Sequence, residues 1–154
     1  MKIFIGADHR GFELKSRIIR FLKTLRHTVI DVGSYDAGTI CDYPPISCEV
    51  ATRVVKTKGS RGILACMTGI GHSIAANKVA GSYAALCYTK EAVVLSRQHN
   101  NANVLVLGAK FVDPDELEEI IKLWLNTEFE GGRHLRRVRQ IKAIEKKQLC
   151  EKSK

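Results

Sequence analysis

Short apolar runs alternate along this chain with segments in which apolar residues recur every three or four positions. The runs cover residues 3–7, 28–32, 62–66, 83–87 and 104–108. Each run is almost continuously apolar, which is typical of parallel strands that are covered on both faces. The alternation predicts an α/β protein with a five-stranded parallel sheet and right-handed crossover connections.

The segments between the runs have helical spacing over residues 14–25, 46–54 and 117–125. The third of these segments follows a helix-start pattern. Asp113 suits the N-cap position, Pro114 suits the first helical position, and Glu116 suits the N3 position that closes a capping box. The sequence therefore predicts a helix that begins at residue 113 and presents one apolar face.

A basic segment follows the glycine pair Gly131 and Gly132. It carries a narrow apolar stripe at helical spacing, formed by Leu135, Val138, Ile141 and Ile144. Such a final helix can pack on its own domain or on a second subunit. We find no internal repeat or linker, so residues 1–154 are predicted to form a single domain, with 133–154 as a basic C-terminal helix and tail.

The composition of the chain indicates in which cellular compartment we expect the protein. The chain has 154 residues and 45% hydrophobic residues, enough for one well-formed core. No apolar stretch has the length of a membrane span, and the chain enters its first strand without a leader, so we expect a cytoplasmic protein. Its five cysteines are an odd number and include no Cys-x-x-Cys pair, which favours free thiols.

The positive charge is concentrated at the C-terminus. Residues 133–154 hold nine Lys and Arg and two Glu, or +7 of the net charge of +9. A basic tail can bind nucleic acid, supply arginines for a phosphate, or form a solvated helix face.

The strongest chemical signal lies around Cys66, at the end of the third run. A glycine-rich turn, Thr68-Gly69-Ile70-Gly71, follows it and leads into a helix-compatible stretch at 73–78. Glycines let backbone N–H groups approach an anion, and the same donors would help the thiol to lose its proton. This segment predicts an enzyme that acts on a small anion. The alternative is a tight turn beside a buried, inert cysteine.

Two further polar groups join this picture. Asp8 and His9 follow the first strand and would face Cys66 across the crevice where strand order reverses. Asp8 could instead be only an N-cap, and His9 only a surface residue. His99 ends a later helix and is expected at the opposite edge of the sheet, a conflict that a neighbouring subunit would resolve.

Several separate motifs, in this order, resemble the B-type ribose-5-phosphate isomerases, a family that includes allose-6-phosphate and galactose-6-phosphate isomerases. The motifs are Asp8-His9 with Gly11-Phe12, Asp42-Tyr43-Pro44, Cys66 with Thr68-Gly69-Ile70-Gly71, the stretch 73–78, the stretch 95–100, and Glu130-Gly131-Gly132-Arg133-His134. The resemblance covers nearly the whole chain. It implies a Rossmann-like three-layer sandwich whose C-terminal helix packs on a partner subunit.

The resemblance also implies an aldose–ketose isomerase of the pentose phosphate pathway that interconverts ribose 5-phosphate and ribulose 5-phosphate without metal or cofactor. Cys66 would be the base that moves a proton between C1 and C2, assisted by Thr68. His99 would open the furanose ring, with Asp8 aiding the ring oxygen or hydroxyls. The enediolate oxygen would be held by the N–H groups of Met67, Thr68, Gly69, Ile70 and Gly71.

The remaining implied contacts belong to the substrate's hydroxyls and phosphate. Asn100 would bind sugar hydroxyls, and His9, Lys110, Arg133 and Arg137 would hold the phosphate. The active form implied is a homodimer, or a dimer of dimers, with sites shared between subunits. Neither nucleic acid nor a membrane is an expected partner.

Three positions depart from the family pattern. Met67 stands where glycine is usual, Lys110 where arginine is common, and His72 where one branch of the family carries a glutamate base. We keep Cys66 as the base and treat His72 as part of the pocket wall. Because of these departures, an isomerase specialised for a six-carbon sugar phosphate remains the alternative interpretation.

A second class of function, a nucleotide- or nucleic-acid-binding module, is disfavoured. The glycine turn is not a full G-x-G-x-x-G with an acidic residue placed for a ribose, and aromatic residues are only 6% of the chain.

Overall fold

The computed structural model describes residues 1–151 and contains one parallel sheet of five strands in the order β2-β1-β3-β5-β4. The strands are β1 (Lys2–Ala7), β2 (Thr28–Asp31), β3 (Arg61–Cys66), β4 (Ala84–Leu86) and β5 (Val104–Gly108). The chain leaves β1 for β2 on one side and returns to β3 on the other side. This reversal opens a crevice at the C-terminal ends of β1 and β3, where doubly wound sheets bind ligands.

Helices cover both faces of the sheet, which confirms the predicted three-layer, Rossmann-like α/β sandwich. They are α1 (Phe12–Thr24), α2 (Tyr43–Lys56), α3 (Ile70–Ala76), α4 (Lys90–Asn100), α5 (Leu117–Asn126) and α6 (Gly132–Glu151). One core contains buried residues of α1, α4 and α5, with Trp124 fully buried, and the other contains those of α2 and α3. The near-continuous apolar runs are explained, because both sides of each strand meet a helix.

The helix that we predicted to begin at Asp113 begins later. Residues 113–116 form a turn, in which the Asp113 carboxylate accepts the N–H of Asp115 at 2.9 Å, and α5 starts at Leu117. The Asp side chain stabilises a local turn that competes with the first helical turn. The helix expected over 73–78 differs in the other direction, since α3 already starts at Ile70 and ends at Ala76.

An ion pair between the buried Lys15 and the partly exposed Asp31 fixes α1 to the end of β2. Lys15 is fully buried, and its ammonium donates to both carboxylate oxygens of Asp31, at 2.7 and 2.8 Å, and to the carbonyl of Ser34. Three acceptors match the three protons of the ammonium group. Sequence reasoning missed this pair, because a lysine within a helix ordinarily indicates a solvent-exposed position.

The C-terminal helix α6 packs on its own domain along only part of its length. Val138 and His134 are buried, and Glu145 accepts the N–H of Gly81 at 2.7 Å. Other members of the apolar stripe remain exposed, namely Leu135, Ile141 and Ile144. Within residues 1–151 no helix, α6 included, combines the length and apolarity that crossing a membrane requires.

Candidate active site

Asp8 and Cys66 meet at the C-terminal ends of β1 and β3, as the sequence predicted. The Cys66 thiol donates to Asp8 Oδ2 at 3.0 Å, and Asp8 Oδ1 accepts the N–H of Gly11 at 2.8 Å. Asp8 therefore caps the short 3-10 turn His9–Gly11 and also contacts the thiol. A side chain at Gly11 would press its Cβ into the carbonyl group of Ala65. Glycine is what lets this turn lie against β3.

The expectation that the thiol loses its proton easily is wrong for this structure. Burial raises the pKa of Cys66, and the hydrogen bond to the Asp8 carboxylate raises it further. The backbone N–H groups of Gly69 and Thr68 point at the sulfur and lower the pKa, but their effect is the smaller one. Desolvation and a nearby negative charge both disfavour a thiolate, so Cys66 is a protonated thiol at neutral pH.

The loop after Cys66 has the tight geometry that its glycines suggested. Gly69 has a left-handed φ of +81°, and a Cβ there would lie 2.6 Å from the Leu86 side chain. The backbone of Lys110 lies beside the loop, because its N–H donates to the carbonyl of Met67 at 3.0 Å. The Met67 side chain is 36% exposed at the rim of the crevice. Thus Lys110 lies on the Cys66 side of the molecule, whereas its expected role as a phosphate ligand stays a prediction.

His72 forms a wall of the same site. The side chain is fully buried, its Nδ1 lies 2.6 Å from Ser47 Oγ, and its ring packs against Tyr43 with centroids 5.5 Å apart. Burial lowers the pKa of His72 to about 4, so the imidazole is neutral at neutral pH. One ligand atom each of Asp8, Cys66 and His72 lies within 4.8 Å of the other two. We call this the Asp8–Cys66–His72 cluster.

His99 belongs to a different cluster. Its ring stacks on that of His134, with centroids 4.0 Å apart and planes inclined by 3°. Glu130 Oε2 lies 3.9 Å from His99 Nε2 and 3.5 Å from His134 Nε2. The Nε–H of Arg133 donates to His134 Nε2 at 3.3 Å. Sequence reasoning assigned no role to Glu130 or His134. Glu130 precedes α6 and two glycines with positive φ separate it from His134, so no helical spacing in the sequence signalled this contact.

The two groups lie at opposite edges of the sheet within one chain. Helix α4 runs from the C-terminal end of β4 back to the N-terminal end of β5, and His99 lies in its last turn. Asn100 ends the same helix, while Arg133 and Arg137 are exposed on the first turns of α6. His9 is on the Cys66 side, where its Nδ1 accepts the N–H of Cys41 at 3.4 Å. One chain therefore brings together only half of the predicted site.

Comparison with known proteins decides which family this arrangement represents. The family model for ribose/galactose isomerases matches residues 3–141. The chain belongs to this family. Ribose-5-phosphate isomerase B of Escherichia coli strain K12 is 43% identical over 146 residues, covering 95% of this chain and 97% of that protein.

Solved structures of this family share the whole architecture. The structure of Clostridium thermocellum ribose-5-phosphate isomerase B has a TM-score of 0.90 and 47% identity, over 96% of this chain and 99% of that one. The Mycoplasma genitalium ribose-5-phosphate isomerase B was solved with bound ribulose 5-phosphate. It has a TM-score of 0.90 and 44% identity, over 94% of this chain and 96% of that one.

Proposed function

We propose that this protein is an aldose–ketose isomerase that interconverts ribose 5-phosphate and ribulose 5-phosphate through an enediolate, with Cys66 as the base. The observation that carries the proposal is the place of the Cys66 thiol. It ends β3, is nearly buried, and faces both Asp8 and a loop with N–H groups directed at it. Three relatives that match along almost the whole chain are named ribose-5-phosphate isomerase B.

The chemistry needs one base that reaches both C1 and C2. Cys66 removes a proton from C2 of the open-chain aldose and returns it to C1, while O1 gains and O2 loses a proton. Negative charge grows on the substrate oxygens, and N–H donors of Met67, Thr68, Gly69, Ile70 and Gly71 stabilise it. A donor placed in advance at such an oxygen typically contributes about 3–4 kcal/mol.

The other groups open the ring and anchor the substrate. His99 exchanges the proton that opens the furanose, with Asp8 at the sugar hydroxyls. Asn100 binds hydroxyls at the same end of the sugar. The phosphate is held by four basic side chains, namely His9, Lys110, Arg133 and Arg137. Charge-assisted contacts of this kind are about twice as strong as neutral hydrogen bonds.

The assembly that completes the site is a homodimer or a dimer of dimers. His99 and the α6 arginines of one subunit would meet Cys66 of another, and the exposed apolar side chains Leu135, Ile141 and Ile144 would pack on the partner. Residues 1–154 act as one domain, which works in the cytoplasm in the pentose phosphate pathway.

The test is to replace Cys66 with alanine and to measure turnover and binding on one sample. Loss of an essential base typically lowers the rate by at least ~10²–10⁴. We expect that loss for ribose 5-phosphate, with calorimetric affinity for the sugar phosphate kept within a few-fold. Cys48→Ser, at an exposed thiol on α2, is the matched control and should keep full activity.

Two results would overturn the proposal. If the turnover of Cys66→Ala were close to that of the unchanged protein, another group would be the base, and His72 would be the first candidate. If allose 6-phosphate were turned over faster than ribose 5-phosphate, the proposed substrate would be wrong but the proposed type of reaction would stand.

A further inference from the structure

We propose that the Asp8–Cys66–His72 cluster is a binding site for one thiophilic divalent cation, with zinc as the best match. All three side chains are buried, and one ligand atom of each lies within 4.8 Å of the other two. A thiolate sulfur, an imidazole nitrogen and a carboxylate oxygen are the donor types that Zn²⁺ takes in proteins. Tetrahedral zinc with its usual bond lengths puts ligand atoms about 3.5 Å apart. To reach this separation, the Cys66 sulfur and Asp8 Oδ2, which are 3.0 Å apart, must move slightly apart, and all three ligand atoms start within 4.8 Å of one another.

The hydrogen bonds of Ser47 fix which nitrogen of His72 is free. Ser47 Oγ donates its single proton to the carbonyl of Tyr43 at 2.9 Å. With the Ser47 proton placed on Tyr43, the contact of 2.6 Å between Ser47 Oγ and His72 Nδ1 is made by a proton on Nδ1, and we assign this tautomer to His72. Nε2 is left with a lone pair. This atom is buried and has no hydrogen-bond partner among the described residues.

An orphaned acceptor in a buried site is the observation that points to a ligand. Metal-binding histidines in proteins ordinarily donate their other ring N–H to an oxygen, which fixes the tautomer and the ring orientation. Ser47 already supplies that oxygen to His72. Asp8 is oriented in the same way, since Oδ1 is held by the N–H of Gly11 and Oδ2 faces the Cys66 sulfur.

Charge balance favours a divalent ion here. When Zn²⁺ binds, the sulfur–hydrogen bond of Cys66 breaks, a zinc–sulfur bond forms, and the proton leaves to solvent. The thiolate and the Asp8 carboxylate then neutralise the two positive charges, while His72 stays neutral. Three protein ligands leave the fourth tetrahedral position open to water or to an anion.

In the second cluster, formed by His99, Glu130 and His134, one ligand atom of each residue also lies within 4.8 Å of the other two, but the orientation of the rings differs. Its imidazole planes are parallel to within 3° and stacked 4.0 Å apart, so their in-plane lone pairs do not converge on one point. Arg133 also occupies His134 Nε2 with an N–H donor. This cluster serves as an internal comparison for the experiment.

A cation at this site takes no part in isomerisation and opposes it. It would hold the Cys66 sulfur in a metal bond, so the sulfur could not remove a proton from the sugar. This consequence rests on the proposed role of Cys66 as the base, whereas the binding of the cation does not. Zinc and sugar phosphate should therefore exclude each other, and a chelator should restore activity.

The test uses the full chain and Co²⁺ as a spectroscopic substitute for Zn²⁺. Tetrahedral cobalt bound to a thiolate gives intense visible bands and a sulfur-to-metal charge-transfer band in the near ultraviolet. We expect both to saturate at one Co²⁺ per chain and to vanish when Zn²⁺ is added. Calorimetry in buffers of different ionisation enthalpy should show one proton released for each Zn²⁺ bound.

Variants assign the bands to the cluster. His72→Asn keeps a donor near Ser47 but lacks Nε2, and should weaken cobalt binding more than Ser47→Ala, for which we expect about 10–100-fold. His134→Asn and Cys48→Ser are the matched controls and should bind as tightly as the unchanged chain. Circular dichroism checks that each variant is folded. Unchanged affinity in both His72→Asn and Ser47→Ala, or an equal loss in His134→Asn, would overturn the proposal.

The same titrations keep this proposal separate from the proposed function. A chain that binds Zn²⁺ through Cys66 but keeps full activity would show that Cys66 is not the base. A chain without the charge-transfer band, but inactivated by Cys66→Ala, would have the proposed function and lack the cation site.

Discussion

Cys66, the proposed base, is kept protonated at neutral pH by its surroundings. Burial first, and then the Asp8 carboxylate, raise the pKa of the thiol above its usual value. The active form of a general base is the deprotonated one, so the rate of isomerisation should rise as the pH increases from neutral to alkaline values. A high pKa also makes the thiolate a stronger base once it forms.

Replacing Asp8 with asparagine tests the second cause of this shift. The asparagine side chain would keep an oxygen for the N–H of Gly11 but would carry no charge. We expect the pKa of Cys66 to fall, so that iodoacetamide alkylates Cys66 faster at neutral pH in Asp8→Asn than in the unchanged chain. Mass spectrometry of the alkylated peptides across a pH series measures the rate, with the exposed Cys48 as internal reference.

An unchanged or slower rate at Cys66, with Cys48 unaffected, would contradict this prediction. It would mean that the carboxylate contributes nothing to the protonation state of the thiol, and that burial accounts for the whole shift.

At the scale of single elements, the ion pair between Lys15 and Asp31 connects α1 to the strand that precedes the long loop into α2. Removal of one partner from a fully buried pair leaves an uncompensated charge, which typically costs about 3–5 kcal/mol. Because Asp31 is partly exposed and solvent screens its charge, we expect Asp31→Asn to lower the free energy of unfolding by less than that amount, measured by urea denaturation. Glu49→Gln removes the exposed ion pair with Arg53 and should change it by less than about 1 kcal/mol.

An Asp31→Asn variant as stable as Glu49→Gln would contradict the assignment. Lys15 would then have found another hydrogen-bond acceptor.

Helix α6 supplies the second prediction at this scale. Arg133 and Arg137 are separated by four residues on one continuous helix, so both point to the same side, whereas Arg136 points about 100° away from Arg137. We expect Arg137→Ala to weaken the binding of ribose 5-phosphate and of inorganic phosphate by a similar amount, about 1.5–3 kcal/mol. Arg136→Ala is the matched control and should leave both affinities unchanged in calorimetry.

Equal losses in Arg136→Ala and Arg137→Ala would show that the phosphate is attracted by the general positive charge of the helix. If only the affinity for ribose 5-phosphate fell, Arg137 would contact the sugar and not the phosphate.

The strands were the most predictable elements, and the reason is physical. A strand buried on both faces must be apolar throughout, so the runs at 3–7 and 104–108 correspond almost residue for residue to β1 and β5. Helix starts were less predictable. The polar residues that cap a helix also form isolated turns, and at Asp113 the turn is what forms.

At the scale of the whole molecule, the candidate site divides between the two edges of the sheet. The meeting of Asp8 with Cys66 could be predicted on the condition that the first and third strands are neighbours, and the structure shows that they are. The protonation state of Cys66 could not. It depends on how deeply the sulfur is buried and on its distance from a carboxylate, and a one-dimensional pattern contains neither quantity.

A mixed-variant experiment tests whether two chains share each site. Cys66→Ala and His99→Ala should each be nearly inactive, because each removes one group from every site. After they are unfolded, mixed and refolded together, a two-fold dimer of unlike chains holds one doubly altered site and one intact site. With random pairing, about a quarter of the original activity should return.

Native mass spectrometry is the control, since it shows whether unlike chains have paired. Confirmed pairing without recovery of activity would mean that both residues serve the site of their own chain. The proposal of shared sites would then be wrong.

The stacked imidazoles of His99 and His134 provide an intrinsic signal for NMR spectroscopy. Each ring lies over the face of the other at 4.0 Å, so the ring current of one shifts the carbon-bound protons of the other to lower frequency. Burial first, and then electrostatic repulsion from His99, lower the pKa of His134. Proton spectra of these two histidines will therefore register any event that separates the rings, without a label or a substitution.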